Sequence, residues 1–266
     1  MKFDGHVKLT SKALTKVKQS CPTDTSTCNA PMFKQEARIW LGDSKKSNTV
    51  DNYSSAVINY IGHALAPDVV FQIKLPDATA FVDLDHRWTH DDPKGQRFHF
   101  MRAENETEKE AYLNAIKFIK THTENWVNAA KDIIKQKSKP KPLQSATWRE
   151  TRDYVKELAL ALHCLQDSFS PGHTQRYFDV QSESYPPGFY DRAAPIRKIF
   201  VYAHQDHEAH GDEDYRSGGT GSSWGNIAVN ASAALITKEI LSIPSEGKGL
   251  IGWDDFVNKW LSHKLE

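Results

Sequence analysis

The sequence lacks three features that would place it in a specialised class of protein. Cysteine occurs only three times in 266 residues, which is too few for a disulfide-stapled scaffold. No apolar run approaches the ~18 residues that a membrane-spanning helix needs. Lysine plus arginine and aspartate plus glutamate balance at 34 each, so no net charge draws the chain to a polyanion. With 39% hydrophobic residues, the composition predicts a globular chain with a substantial core.

Helical periodicity dominates the chain, and strand patterns are scarce. Apolar residues recur at helical spacing over residues 8–18, 50–65, 108–135, 145–167, 224–241 and 253–265. The Lys-Pro repeats of KSKPKPLQ (137–144) indicate a linker, and 170 to about 203 is predicted to be irregular and rich in aromatics. There is no internal repeat and no convincing βαβ pattern. We therefore expect an all-α fold, a multi-helix bundle that forms a single domain over residues 1–266.

Histidine is abundant, and one group of histidines has the spacing of metal ligands. In LALALHCLQDSFSPGHTQR (158–176), His163 and Asp167 are four residues apart, which puts them on one face of a helix. The helix breaks at Pro171, so His173 can point back toward the same cavity. Imidazole and carboxylate ligands together suit zinc. Taken alone, the His163–Asp167 pair could equally be a hydrogen-bonded core histidine beside a surface charge.

The pattern H-x3-D-x5-H, formed by His163, Asp167 and His173, resembles the central signature of a known superfamily. This is the zinc-dependent phospholipase C and single-strand nuclease superfamily, whose members are all-helical trinuclear zinc phosphodiesterases. The resemblance is nearest to the bacterial phosphatidylcholine-type phospholipases C. It implies a helical bundle of that type, about three zinc ions, and a carboxylate at Asp167 that bridges two of them.

The resemblance also implies metal ligands in the first hundred residues. An early histidine of the family corresponds to His6. The family's histidine-phenylalanine pair corresponds to His99 and its neighbour in FVDLDHRWTHDDPKGQRFHFMR. An aspartate ligand is expected before that pair. Asp83 is the first choice, because small residues precede it, while Asp85 has the better spacing and Asp68 is a weaker alternative.

A further pair of ligands is expected downstream of the central motif. The segment VYAHQDHEAHGDEDYR contains two histidine-acid pairs at a spacing that lets both side chains chelate from one helical turn. His210 with Asp214 is the preferred pair, and His204 with Glu208 is the alternative. The connection from the central motif is longer than in the secreted bacterial phospholipases.

The first residue of the chain is also a candidate ligand. In the resembled family, the mature N-terminal residue binds zinc through its α-amino nitrogen and its carbonyl oxygen. Met1 is expected to take this role five residues before His6, with Asp4 as the alternative. The first residues lack the apolar segment of a secretory signal. We expect a bacterial protein that is secreted or translocated, and cytoplasmic before export.

The function implied by the resemblance is that of a phospholipase C, which hydrolyses the glycerol-side phosphodiester of phosphatidylcholine-like lipids with metal-activated water. Asp83 or Asp85 would accept the proton of the attacking water. His86 would contact the substrate phosphate. Tyr177 and Phe178 would also contact substrate, since aromatic side chains suit a lipid interface and a choline cation. We expect a monomer that meets its phospholipid at a membrane surface and forms no stable complex with nucleic acid.

Two other functions remain open at this point. A zinc-dependent single-strand nuclease would use the same ligands, and its aromatic side chains would stack on bases. A non-catalytic helical protein would carry the histidines without any chemical role. The order of the candidate ligands along the chain favours an enzyme.

Overall fold

The computed structural model describes six stretches of the chain. These are residues 3–20, 95–137, 148–177, 191–201, 223–241 and 252–265. The helix predicted over 50–65 and all but the first residue of the predicted linker lie outside them. Helices make up 66% of the described residues, so the fold is mainly helical, as the sequence predicts.

The described stretches contain five α-helices and one short 3-10 helix. In chain order these are α1 (Phe3–Ser20), the 3-10 helix (Gln96–His99), α2 (Glu108–Lys137), α3 (Trp148–Asp167), α4 (Ser223–Leu241) and α5 (Trp253–Trp260). The central element is α3, which contacts α1, α2, α4 and the 3-10 helix. Among the described residues, no helix combines the length and the apolarity needed to cross a membrane.

The second half of α3 is buried on every side. All residues from 158 to 170 are buried. The sequence LALAL places apolar side chains all round the helix rather than along one stripe, which is typical of a helix inside a core. Because His163 and Asp167 lie on this half of α3, neither can hydrogen-bond to bulk water. Both side chains therefore need partners within the protein.

The second helix begins with a capping box. The backbone N–H of Thr107 donates to the Glu110 carboxylate at 2.9 Å, and the N–H of Glu110 donates to Thr107 Oγ1 at 3.2 Å. These two bonds satisfy backbone donors that a helix start leaves without an intrahelical partner. Tyr112, Ile119 and Trp126 are buried in the core, as their helical spacing predicts.

A small antiparallel sheet corrects the prediction for residues 170–203. Strand β1 (Thr174–Arg176) pairs with β2 (Ile196–Ile199), and the register shifts between Gln175 and Arg176. The segment is therefore not wholly irregular, and the described part of the chain is mainly helical with one two-stranded sheet rather than strictly all-α. Strands of three and four residues are too short to produce a recognisable alternating pattern in the sequence.

The last helix is shorter than its apolar pattern predicts. It ends at Trp260 instead of continuing to residue 265. Beyond it the chain pairs with β2, because the N–H of Ile196 donates to the Ser262 carbonyl at 2.8 Å and the N–H of Lys264 donates to the Ile196 carbonyl at 2.9 Å. These bonds draw the end of the chain away from the helical path.

We expect Thr107→Ala to lower the free energy of unfolding by about 1 kcal/mol, because it removes the side-chain half of the capping box. Urea denaturation followed by circular dichroism measures this change. Thr121→Ala is the matched control, since Thr121 is exposed within the same helix and alanine is the better helix former. An equal loss of stability in both variants would contradict the role of the cap.

Candidate metal centre

Ionisable side chains from four separate parts of the fold form one buried cluster. His6 comes from α1, His99 from the end of the 3-10 helix, His163 and Asp167 from α3, and His173 from the turn before β1. All five residues are fully buried. Burying so many polar groups is costly unless they satisfy one another. Their convergence therefore defines the candidate site.

The carboxylate of Asp167 lies at the centre of this cluster. Its Oδ2 atom is 3.1 Å from His163 Nε2 and 3.2 Å from His99 Nδ1. Its Oδ1 atom is 3.3 Å from His6 Nε2. The two carboxylate oxygens therefore face different imidazoles, which is the arrangement of a carboxylate that can bridge two positions.

The spacing of the donor atoms suits a metal ion. His163 Nε2 and His99 Nδ1 are 3.1 Å apart, so with Asp167 Oδ2 they form a triangle with sides of 3.1–3.2 Å. A tetrahedral ion with bonds of about 2.0–2.1 Å separates its ligand atoms by about 3.3 Å. In a second combination, His6, His163 and Asp167 offer ligand atoms that all lie within 4.8 Å of one another. This buried group could bind a metal ion.

The charge state of Asp167 fits the same role. Burial raises the pKa of this carboxyl, but the positive charge around it, which includes the imidazoles of His173, His163 and His6, holds the pKa well below its usual range. The side chain is therefore an anion at neutral pH, and a metal ligand must be deprotonated.

Cys164 differs from Asp167, because burial raises the pKa of its thiol well above the usual value. Its Sγ donates to the Arg97 carbonyl at 3.1 Å, outside the cluster.

The ring of His173 is oriented by the backbone of another histidine. Its Nδ1 lies 2.5 Å from the carbonyl oxygen of His99. A carbonyl can only accept, so Nδ1 carries a proton and donates to it. Histidine ligands of metals commonly donate their second N–H to a carbonyl or carboxylate in this way.

The backbone beside His99 adopts an unusual conformation. Phe100 has φ 52° and ψ 40°, the left-handed region, although it is not a glycine. This conformation costs a non-glycine residue about 1–2 kcal/mol. The Phe100 side chain is fully buried in the core, and its burial helps to offset that cost. The turn allows both the ring and the carbonyl of His99 to face the cluster.

Arg176 holds the turn that carries His173, and the sequence analysis did not identify it. Its guanidinium is buried, donates to the Ser168 carbonyl at 3.1 Å and to the Ala194 carbonyl at 2.7 Å, and lies 4.4 Å from the centre of the Phe169 ring. It thus joins the end of α3 to the segment before β2. No local pattern marks an arginine on a short strand as buried, so sequence periodicity could not have found it.

Of the residues predicted from the sequence, the structure brings together His6, His99, His163, Asp167 and His173. It does not bring Tyr177 to them. The Tyr177 side chain is 45% exposed, and its hydroxyl donates to the Lys264 carbonyl at 3.4 Å. Tyr177 follows His173 by four residues of extended chain, a separation of about 13 Å. Asp4 lies in the first turn of α1, and its side chain is outside the described part of the structure. The other candidates lie outside the described residues: Met1, Asp68, Asp83, Asp85, His86, Phe178, His204, Glu208, His210 and Asp214.

No protein-family model, curated protein or solved structure matches this chain. The chemical interpretation of the site therefore depends on its own residues and their geometry.

We expect removal of bound metal to lower the melting temperature. A metal that binds only the folded state adds about 2.7 kcal/mol of stability when its free concentration is about 100 times its Kd. Scanning calorimetry of metal-loaded and chelator-dialysed protein measures the shift, and added zinc should reverse it. Asp167→Asn should show a much smaller metal-dependent shift. Identical melting curves with and without metal in the unsubstituted protein would rule out a structural metal at this cluster.

We expect Arg176→Met to lower the free energy of unfolding by about 2–4 kcal/mol, because the substitution removes the charged hydrogen bonds that Arg176 donates to the carbonyls of Ser168, Ala194 and Trp260. Urea denaturation measures the loss. Arg197→Met is the control, since Arg197 is an exposed arginine on the neighbouring strand and surface substitutions usually stay within about 0.5 kcal/mol. Equal effects of the two substitutions would show that the burial of Arg176 is not what stabilises the turn.

Proposed function

We propose that the protein is a zinc-dependent phosphodiesterase of the phospholipase C type, which hydrolyses the glycerol-side phosphodiester of phosphatidylcholine-like lipids. The observation that carries this proposal is the position of Asp167, whose two oxygens face different imidazoles at 3.1–3.3 Å. An arrangement of this kind suits a site with more than one metal ion. Two or more adjacent ions are typical of enzymes that cleave phosphate esters.

Zinc is the proposed metal because imidazole nitrogens and a carboxylate at tetrahedral spacing match its preferred ligands. His6, His99, His163, Asp167 and His173 would hold the ions, about three in number, together with residues outside the described stretches: Met1, Asp83, His210 and Asp214. The helical arrangement would then be that of the phospholipase C and nuclease bundles.

Bound zinc would polarise the phosphate ester, make water acidic enough to attack it near neutral pH, and stabilise the leaving oxygen. The residues of the chain would hold the metal ions, accept a proton and contact the substrate. Asp167 stays anionic because of the positive charge around it, so it would hold cations without taking up a proton. Asp83 or Asp85 would accept the proton of the attacking water. His86, Tyr177 and Phe178 would contact the substrate, and the protein would act as a secreted monomer at a membrane surface.

A single-strand nuclease is the second candidate function, and the surroundings of Tyr177 support it. The ring is 45% exposed, with Lys264 Nζ 5.3 Å and Arg197 Cζ 5.9 Å from its centre. An exposed aromatic ring flanked by cations suits a base stacked beside its phosphate. The same ring and cations would also contact a phosphate-bearing membrane surface, and hydrolysis of lipid and of DNA distinguishes the two functions.

The proposal is tested by measuring hydrolysis of phosphatidylcholine vesicles and of single-stranded DNA by the zinc-loaded protein. We expect lipid hydrolysis that stops on chelation and returns with zinc, and elemental analysis that finds about three zinc ions per chain. Cleavage of DNA alone would make the protein a nuclease. Zinc-loaded protein that cleaves neither substrate would contradict a phosphodiesterase.

We expect His163→Ala and Asp167→Asn each to reduce turnover by about 1,000-fold or more and to lower bound zinc, because each removes a ligand and with it several kcal/mol of charge stabilisation. His122→Ala is the matched control. His122 is a half-buried histidine on α2 that pairs with Glu157 at 2.6 Å, outside the cluster. Full turnover and normal zinc content in Asp167→Asn would overturn the ligand assignment.

A further inference from the structure

Gln166 connects one histidine of the metal centre to two hydroxyl groups on other helices. The residue is fully buried on α3. Its Oε1 atom lies 2.8 Å from His6 Nδ1. Its Nε2 atom donates to Thr10 Oγ1 at 2.9 Å and to Ser232 Oγ at 3.3 Å. A single side chain thus links α3 with α1 and α4, and its amide oxygen is directed at the His6 ring.

The hydrogen bond determines which nitrogen of His6 carries the proton. An amide oxygen can only accept, so His6 Nδ1 must donate to Gln166 and is protonated. The lone pair of the neutral ring is then on Nε2. Nε2 is the atom that lies 3.3 Å from Asp167 Oδ1. The amide group of Gln166 therefore selects the tautomer that directs a ligand nitrogen toward the cluster.

The amide nitrogen of Gln166 contacts two hydroxyl groups on the side away from His6. If the amide rotated by half a turn, its N–H groups would face His6 Nδ1, and the tautomer would reverse. The hydroxyls of Thr10 and Ser232 lie on the nitrogen side, at the distances given above. With its oxygen toward the ring, the amide is an acceptor for a histidine that is 160 residues away in the sequence.

We propose that Gln166 is a positioning residue of the metal centre, which fixes the Nδ1-protonated tautomer of His6 and directs Nε2 toward a bound ion. This inference rests on the proposed function, since it assumes that the cluster binds zinc. Groups that accept the second N–H of a histidine ligand commonly change metal affinity by about 10–100-fold when they are removed. A purely structural role for Gln166 would affect stability and leave both the tautomer and the zinc affinity unchanged.

The first experiment compares Gln166→Met with Thr10→Val. The methionine variant removes the acceptor of His6, whereas the valine variant removes one contact of the amide nitrogen and keeps the acceptor. Zinc affinity is measured by titration against a competing chelator. We expect a Kd for zinc about 10–100-fold higher in Gln166→Met and within about 3-fold of the unsubstituted protein in Thr10→Val. Unchanged zinc affinity in a folded Gln166→Met would overturn the proposal.

The second measurement reads the tautomer of the neutral His6 ring in metal-free protein, at a pH at which this ring carries a single proton. The nitrogen-15 NMR spectrum of the imidazole rings distinguishes protonation at Nδ1 from protonation at Nε2. We expect His6 to be protonated at Nδ1 in the unsubstituted protein and to lose this preference in Gln166→Met. An Nε2-protonated ring in the unsubstituted protein would overturn the proposal, whether or not the methionine variant folds.

Gln166→Glu provides the rescue test, because the carboxylate keeps an acceptor at the same place. We expect it to retain the Nδ1-protonated tautomer and a zinc Kd no more than about 3-fold higher than that of the unsubstituted protein. A loss as large as that of Gln166→Met would overturn the proposal. If the unsubstituted protein binds no zinc at all, the proposed function fails, and the NMR measurement still decides whether Gln166 controls the tautomer.

Discussion

The buried negative charge of Asp167 is the constraint on which the rest of the structure depends. Removing a carboxylate from water costs several kcal/mol unless charged or hydrogen-bonding groups surround it. Here imidazoles of His6, His99 and His163 approach its oxygens at 3.1–3.3 Å. These side chains come from three different elements. Compensation of one charge therefore requires α1, the 3-10 helix and α3 to meet at one point.

The helix that carries this charge is otherwise apolar. From residue 158 to residue 170, α3 and the turn after it are buried. Hydrophobic burial supplies the favourable free energy that allows a polar cluster inside the core, and the cluster in turn restricts how the helices can pack. An apolar core tolerates many packings of similar volume, whereas hydrogen bonds with fixed partners do not. The polar centre thus restricts the packing of the helices, while burial of the apolar residues favours folding.

Two local features show how the backbone adapts to the site. Phe100 keeps a left-handed conformation that is unfavourable for its residue type, and its neighbour His99 reaches the cluster with both ring and carbonyl. Arg176 places a cation beneath the turn that carries His173 and bonds to carbonyls on either side of it. Each feature costs free energy locally. Each is consistent with a surrounding core that holds the residues of the cluster close together at a local cost.

The sequence by itself determined the helical character of the chain and part of the site. The periodicity of helices is local, so the pairing of His163 with Asp167 follows from their spacing of four, and the break at Pro171 follows from the missing N–H. That break also predicts that His173 points back toward the pair, and the resemblance to the zinc phosphodiesterases added His6 and His99. The structure places all three histidines in the same cluster. Only the tertiary structure decided which oxygen of Asp167 each imidazole faces, that Gln166 bonds to His6, and that Arg176 is buried on a short strand. These contacts join residues as many as 160 positions apart. They depend on how the helices pack against one another, and no local pattern of residues contains that information.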